Sequence, residues 1–439
     1  MATAHIPLLA GLIAASISIN SHADSNVFFS TSPASALPLP AGNDLFKGTV
    51  QVTDQHGHTI TKQYNENTSI DSIVKKYSQM ESNPDFKNVD WEQAQVDGNL
   101  NLRGLPIYLH SSPDSSTVSI EVAGDKESFT DQPGGETAYQ QLGDWLQGKS
   151  GDTGVNVLKD ISRAFVSSTS IDPIAGNPNS LFSSLVGGEL DATRNLILNA
   201  NSAHMNIVSL SPEYSDDSSQ NPSGHGQAQV HEENLTLPLM YSHYFNRDNV
   251  VTVNVPFRYS VIGAAKSYNA AIGLYYTHVM KRSDHLTWAL SPQVQTGANA
   301  SFDMGSGTVA YSAGVSSRTV YHRHHLTTGL TNVIAFMKTV PIKIGDFETP
   351  YDVENIATES GIDLAYALNS RFKIGGSLQR FQILSGSKWH IPSYNAIGIS
   401  LAMSTHKQSP TYNQIAVSAN YAFGKNNFKG FQGGVSITF

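Results

Sequence analysis

Val251-Thr252-Val253-Asn254-Val255-Pro256-Phe257-Arg258-Tyr259-Ser260-Val261 puts an apolar residue at every odd position and a polar or small one at nearly every even position. A period of two is the signature of a β-strand with one apolar face. The same texture precedes it, where Leu235, Leu237, Leu239 and Tyr241 alternate with Thr236, Pro238, Met240 and Ser242. It recurs at Ile272 to Met280, Leu286 to Gln295, Val309 to Arg318, Leu326 to Ala335, Ile362 to Leu368, Phe372 to Leu378, Ile397 to Met403 and Ile415 to Phe423. Tight turns such as Lys281-Arg282-Ser283-Asp284 contrast with the long stretch from Met337 to Ser360. Segments of about ten alternating residues, joined by short turns on one side and longer loops on the other, are how membrane barrels are built.

Composition narrows the choice. Charged residues make up 14% of the 439-residue chain, well under the roughly 25% of soluble domains. No interior run reaches the ~18 apolar residues of a spanning helix, which leaves a closed barrel as the means of pairing every backbone polar group in lipid. A soluble sandwich or lipocalin-like barrel also alternates, but would normally carry more surface charge. Here the polar face is mostly small residues, and aromatics such as Tyr241, Tyr244, Phe245, Tyr259, Tyr275, Tyr276, Tyr421 and Phe423 gather toward strand ends as interfacial girdles do. There is no cysteine, so disulfides and thiolate chemistry are excluded.

The chain ends on Phe431-Gln432-Gly433-Gly434-Val435-Ser436-Ile437-Thr438-Phe439, with Phe431, Val435, Ile437 and Phe439 on one face. An apolar face closing on a terminal Phe resembles the insertion signal of bacterial outer-membrane β-barrels, which implies the barrel assembly machinery and outer-membrane lipids as partners. That strand and the ten alternating segments make eleven; His204 to Leu210, or a strand within Met337 to Ile344, brings the count to the expected twelve. A helix is expected over about Ser180 to Asn199, with Val186, Leu190, Thr193 and Ile197 on one face. A twelve-strand barrel preceded by a helix resembles autotransporter translocator units, in which such a helix threads the pore. No long β-helical repeat precedes it, so the resemblance is nearer to solitary barrels of autotransporter type.

Upstream the character changes. Residues 234–439 hold 16 Lys+Arg and 9 Asp+Glu, a net +7, and the remainder holds 11 and 27, a net −16. The apolar Ile6 to Ile19, ending at Ser21-His22-Ala23, reads as a signal peptide over residues 1–23, without the usual Lys or Arg at its start. Residues 24–44 read as a linker and 45–179 as a small acidic α+β domain. Within it, Gly48 to Asp54 with Thr59 to Tyr64, and Leu105 to Leu109 with Thr117 to Val122, form hairpins. Helices are expected over Ser69 to Gln79, around Tyr139, Leu142, Trp145 and Leu146, and around Val155, Leu158, Ile161 and Phe165. Asp172 to Asn179 reads as a linker, residues 212–233 as a polar loop, and 234–439 as the barrel, with His204 to Leu210 able to move its start to near 203.

If the apolar faces meet lipid, Arg258, Arg318 and Lys373 point into the lumen, with Glu359 and Asp363 as possible counter-charges. A charge on the lipid face would cost about 2–4 kcal/mol at the midplane. These charges either brace the barrel and its helix or give a pore a weakly basic lumen. His322, His324 and His325 have no nearby acidic residue and read as an inter-strand turn, as does His56-Gly57-His58. No nucleophile elbow, metalloprotease helix, phosphate loop or dinucleotide fingerprint occurs, so no catalytic, cofactor or metal residue is assigned. A hydrolase assembled from separate strands is the remaining enzyme alternative. Basic residues are not interleaved with aromatics as nucleic-acid binding needs. The reading is thus an outer-membrane barrel that anchors or displays a small N-terminal domain, which could itself bind an envelope or surface ligand. Its alternatives are a passive channel and an outer-membrane hydrolase.

Overall fold

The computed structural model describes residues 37–40, 45–66, 83–122, 125–146, 163–194, 205–223, 226–301, 303–304, 306–340, 342–344, 347–349, 351–404 and 414–438. The helix expected at Ser69 to Gln79 and the terminal Phe439 lie outside these residues.

The N-terminal unit is an antiparallel sheet of six strands in the order β2-β1-β3-β4-β5-β6. They are β1 (Phe46–Thr53), β2 (Thr59–Glu66), β3 (Gln95–Leu102), β4 (Leu105–Ser111), β5 (Thr117–Val122) and β6 (Asp125–Thr130). The helix α1 (Ala138–Leu146) places buried Tyr139, Leu142 and Trp145 in the same core as Val50, Leu100, Ile107, Leu109 and Ile120. β3 and β6 go beyond the two expected hairpins. In β3 the polar Asp97, Asn99 and Asn101 imitate a turn, yet all three are buried. Asp97 is satisfied by His110 at 2.6 Å, and Asn99 donates to the Leu37 carbonyl at 2.7 Å. β6 is a polar edge strand with no apolar period to reveal it.

The second unit is a closed antiparallel barrel. Its staves are β7 (Met205–Leu210) with β8 (Glu213–Ser223), then β9 (Gly226–Tyr244), β10 (Asn249–Ile262), β11 (Ala265–Arg282), β12 (Leu286–Ser301), β13 (Ser306–Arg323) and β14 (Leu326–Val340). A small hairpin, β15 (Ile342–Ile344) with β16 (Phe347–Thr349), stands outside the wall. The wall resumes with β17 (Glu354–Ala367), β18 (Phe372–Gly386), β19 (Ser393–Ser404), β20 (Gln414–Gly424) and β21 (Lys429–Thr438). β7 and β8 keep one register against β9 and against β21, so they act as one stave, and the thirteen strands of the sheet make twelve staves.

Of the two candidates for the twelfth stave, His204 to Leu210 is the one present, as β7 continued by β8, whereas the Met337 to Ile344 stretch divides between β14 and the β15 hairpin. One expectation is corrected. Residues 212–233 are not a loop: most belong to β8 and β9, which pair from Glu213↔Thr236 to Ser223↔Gly226. Their strand character was hidden because both faces are rich in Ser, Asp, Glu and Gln, leaving no apolar period to read.

Along the staves the outward side chains include exposed Leu235, Leu237, Leu239, Ile272, Leu274, Ile334, Leu364, Ile397, Ile399 and Leu401. The alternate positions are buried small or polar residues such as Thr252, Asn254, Thr277, Ser291, Gln293, Ser312 and Ser316. An apolar outer wall around a polar interior inverts the soluble pattern and is that of a transmembrane barrel. Among the described residues no helix is long and apolar enough to cross a membrane. One rim, here the C-terminal rim, carries the start of β7, the end of β21, the turns 245–248, 283–285, 324–325 and 368–371, the end of β19 and the start of β20. The far rim carries the longest excursion, 341–353, and the 387–392 loop.

Candidate functional site

The feature with the most functional content is the lumen and what fills it. Ser180 caps α2 (Leu181–Arg194), its Oγ accepting from Ser183 N at 3.4 Å, as first-turn amides require. The Asn177 carbonyl accepts from the Ser180 and Ser183 hydroxyls at 2.7 and 2.8 Å. Leu181, Phe182, Leu185 and Val186 are fully buried and pack on lumen residues Ala271, Ala310, Val333, Ala335 and Met337, and on Phe381 and Trp389. Small wall residues make this approach possible: a Cβ on Gly297 would sit 2.9 Å from the Leu181 side chain. Gln295 of the wall donates to the Leu185 carbonyl at 2.6 Å. A helix was expected here, but its packed face is 181, 182, 185 and 186; of the expected face only Val186 is among these, and the side chains beyond Gly188 are not described.

Residues 172–179, expected as a linker, are irregular but tightly packed at the far rim. Ile171 to Asn177 are all buried. Gly176 has φ +95°, and a Cβ there would lie 2.3 Å from the Val166 carbonyl oxygen. The 387–392 loop clamps the segment, His390 N donating to Val166 O and Ile391 N to Gly176 O, both at 2.9 Å. Asp172 is the polar centre, accepting from Ile174 N at 2.9 Å, Ala175 N at 3.2 Å and Tyr351 Oη at 3.3 Å. Burial pushes its carboxyl above the ordinary value, against the opposing pull of Arg103. Arg103 itself lies 3.9 Å over the Phe165 ring. The β1 to β5 core also includes Ile262, Ala265 and Met304 of the far rim, so the N-terminal unit and the barrel share one buried cluster there. Arg163 pairs with Asp352 at 3.2 Å across the same junction.

The lumen charges divide into groups. Arg318 pairs with Asp363 at 3.2 Å and donates to Thr331 at 2.7 Å, so these two candidates meet. Glu359 is buried against the helix, its carboxylate 3.9 Å from where a Cβ on Gly187 would lie. Lys373 lines the lumen toward the C-terminal rim with His322 and His325. Arg258 stands apart from Glu359 and Asp363; its Nε donates to Thr236 Oγ1 at 3.1 Å. The acids in its vicinity are Asp217 and Glu232, which sequence reasoning missed because both lie in the segment read as a loop. Asp217 is held by Ser215, Asn179 and Asn234 at 2.7, 3.0 and 3.2 Å.

A cavity of about 650 Å³ remains beside the helix, lined by residues of most staves. His324 takes φ +52° in the β13–β14 turn, and His322 bonds Thr327 at 2.9 Å. No group of three His, Asp or Glu placed to hold a metal occurs among the described residues. On β21, Phe431 and Val435 are exposed on the lipid-facing side, and Ile437 is half-buried at the register pair with Leu210.

No protein-family model and no curated protein sequence matches the chain. Among solved structures, the translocator domain of the autotransporter NalP from Neisseria meningitidis aligns at 8% identity and a TM-score of 0.41, over 59% of this chain and 95% of that one. The transport unit of the autotransporter AIDA-I from Escherichia coli aligns at 11% identity and TM-score 0.38, over 58% and 98%. A Pseudomonas aeruginosa FadL homologue aligns at 9% identity and TM-score 0.35, over 62% and 96%.

Proposed function

We propose that this protein is an outer-membrane barrel that anchors and displays its N-terminal domain, with α2 as a stopper in the lumen. One observation carries the reading. α2 packs in the lumen below the far rim, while β7, the next described element, begins at the C-terminal rim. α2 therefore lies between a far-rim segment and a wall that begins at the opposite rim, and the described residues 163–179 and the β1 to β5 core sit at the far rim. In outer-membrane barrels the termini lie with the short turns on the periplasmic side. The far rim is then extracellular, and the small domain with it.

The lumen favours anchoring over conduction: a pore would need Phe182, Leu185 and Val186 withdrawn from their contacts with the wall. The C-terminal strand supports recognition by the barrel assembly machinery, through the face bearing Phe431, Val435, Ile437 and Phe439.

Protease treatment of intact cells, followed with antibody against residues 45–165, tests the display. Loss of the signal is expected; protection until the cells are lysed would put the domain in the periplasm and end the reading. In planar bilayers the full-length protein should be silent, and stepwise conductance would favour the channel instead.

A further inference from the structure

The outer face of the C-terminal rim differs from one flank of the barrel to the other. The rim ends of β18, β19 and β20 present exposed Phe372, Met403 and Ile415, register neighbours of one another. An apolar girdle of that kind makes no demand on a lipid headgroup. On β7, β9, β10 and β11 the same level carries a hydrogen-bonded motif, and it occurs twice.

In the first copy Asn206 Oδ1 accepts from Tyr241 Oη at 2.9 Å and from His243 Nδ1 at 2.7 Å. In the second, Asn249 Oδ1 accepts from Tyr276 Oη at 2.5 Å and from His278 Nδ1 at 2.9 Å. Each Asn lies directly opposite its His in the register, and the Tyr two residues before that His is on the diagonal, within reach across the strands. Val251 of β10 stands between the copies, opposite His243 on one side and Tyr276 on the other. These side chains lie on the lipid-facing side. They follow directly on the exposed Leu235, Leu237 and Leu239 of β9 and Ile272 and Leu274 of β11. Residues at the end of an apolar run sit at headgroup level.

The clamp fixes what each ring can offer. A carboxamide oxygen only accepts, so the His gives its Nδ1 proton to the Asn, and the neutral ring keeps Nε2 as an acceptor. Neither Nε2 has a hydrogen-bond partner among the described residues. The Tyr hydroxyl has also given its proton to the Asn and keeps its lone pairs. Each copy therefore holds two acceptors, Nε2 and the phenolic oxygen.

An aromatic ring and a cation complete each copy. Phe245 meets the His243 ring edge-on at 4.6 Å, and Arg247 follows in the exposed turn. Beside His278, a bulge between Val279 and Lys281 shifts the register and sets Lys281 opposite the exposed Trp288. Strict alternation from His278 would have put Lys281 on the lumen side; the bulge re-aims it to the outer face. Asp248 of the turn is paired with Arg282 at 3.2 Å, and neither Arg247 nor Lys281 has a carboxylate partner among the described residues. Acceptors beside a cation match a headgroup with a phosphate for the cation and a primary ammonium to donate to the acceptors. Choline has the ammonium charge without an N–H, and glycerol has hydroxyls without the charge.

We propose that the two clamps are headgroup sites for a glycerophospholipid with a primary ammonium, of the phosphatidylethanolamine class, held along one flank of the barrel. The inference goes beyond display of the N-terminal domain and does not depend on the side on which that domain lies.

The full-length protein is placed in nanodiscs of equimolar phosphatidylethanolamine, phosphatidylcholine and phosphatidylglycerol and released into mild detergent. The phospholipids retained per barrel are then counted by mass spectrometry. Wild type should keep one phosphatidylethanolamine per clamp, enriched roughly fivefold or more over either competitor, the preference that one net hydrogen bond gives. H243F/H278F keeps both rings and removes both Nε2 acceptors; it should lose the enrichment with unchanged heat-modifiable migration. On wild type alone, successive N-methylation of the ethanolamine should lower retention step by step, which decides the matter if the variant does not assemble. Equal retention of the three lipids would overturn the proposal. So would enrichment undiminished in H243F/H278F, or N-methylated lipids held as well as their parent. Phosphatidylglycerol retained ahead of phosphatidylethanolamine would overturn it too, by reducing the flank to a merely cationic surface.

Discussion

Replacing Phe182 by alanine should loosen the stopper without disturbing the barrel wall. The ring is fully buried, and its centroid lies 6.4 Å from that of Trp389, which in turn lies 5.6 Å from Phe381. Both partners belong to the wall or its far-rim loop, so the lost contacts tie α2 to the barrel and not to itself. Truncating a buried Phe to Ala costs about 3–5 kcal/mol. At about 1.4 kcal/mol per factor of ten, that is a roughly 100- to 4,000-fold larger population of the undocked helix. Hydrogen exchange of peptides covering residues 177–188, measured in detergent micelles where exchange reports local opening, should accelerate by that factor. Peptides from β13 and β14 should be unchanged. F129A provides the control, since Phe129 packs on Trp145 in the N-terminal domain at 5.6 Å and should leave α2 protected. If F182A exchanged at the wild-type rate throughout α2, the packing would not be what holds the helix in the lumen.

Other consequences are independent of that one. G176A should destabilise the junction by about 2 kcal/mol or more, since its φ of +95° and the Val166 carbonyl 2.3 Å from any Cβ leave no unstrained position; faster proteolysis between residues 163 and 180 reads it. R318A should cost about 3 kcal/mol by removing the cation paired with Asp363 in the lumen, whereas R318M/D363N should recover most of the loss in thermal unfolding. His390 is held below the ordinary histidine value by burial, although its contacts to Gln220 and Ser167 pull the other way. Its contribution is therefore complete above about pH 6.5 and is lost as pH falls through and below that value, because the unfolded form then binds the proton more readily. Exchange at residues 163–176 should rise on acidification across that range, and H390Q should flatten the dependence.

Much of the barrel was legible because its chemistry repeats. Val251 to Val261 and Ile397 to Met403 have lipid on one face and small polar residues on the other, and that contrast is local. It fades where both faces are polar. In β8, Asp216 and Asp217 point to opposite sides of the wall, with the buried Asp217 held by Asn179 from the packed segment ahead of the stopper, so no short window reveals a strand. The same failure hid β3, whose Asp97 and Asn99 are buried on partners that sequence cannot supply. The helix α2 was legible as a helix, but its packed face was set by where the wall is small, at Gly297 and Ala271, and not by its own period. The inward face was the natural place for Arg258 and Arg318, because lipid excludes the alternative. Their pairing was not readable: Arg318 meets Asp363 across two strands, whereas Arg258 has Asp217 nearby without a bond to it. Segment 172–179 shows the limit most plainly. Its Pro and Gly residues announced irregular backbone, but only the clamp from His390 and Ile391 makes it packed structure.

The wall is closed by Ser209 and Ser211, whose hydroxyls reach Thr438 and Ser436 across the seam at 3.2 and 3.0 Å. These partners are 229 and 225 positions apart in the chain. Contacts so distant form late, because their loop-closure entropy must be met before they return any bond. α2 precedes both edges of the seam in sequence and lies inside the ring they complete. Whatever fills the lumen is thus enclosed by contacts between residues 225 or more positions apart, and the seam and the stopper belong to one and the same end state.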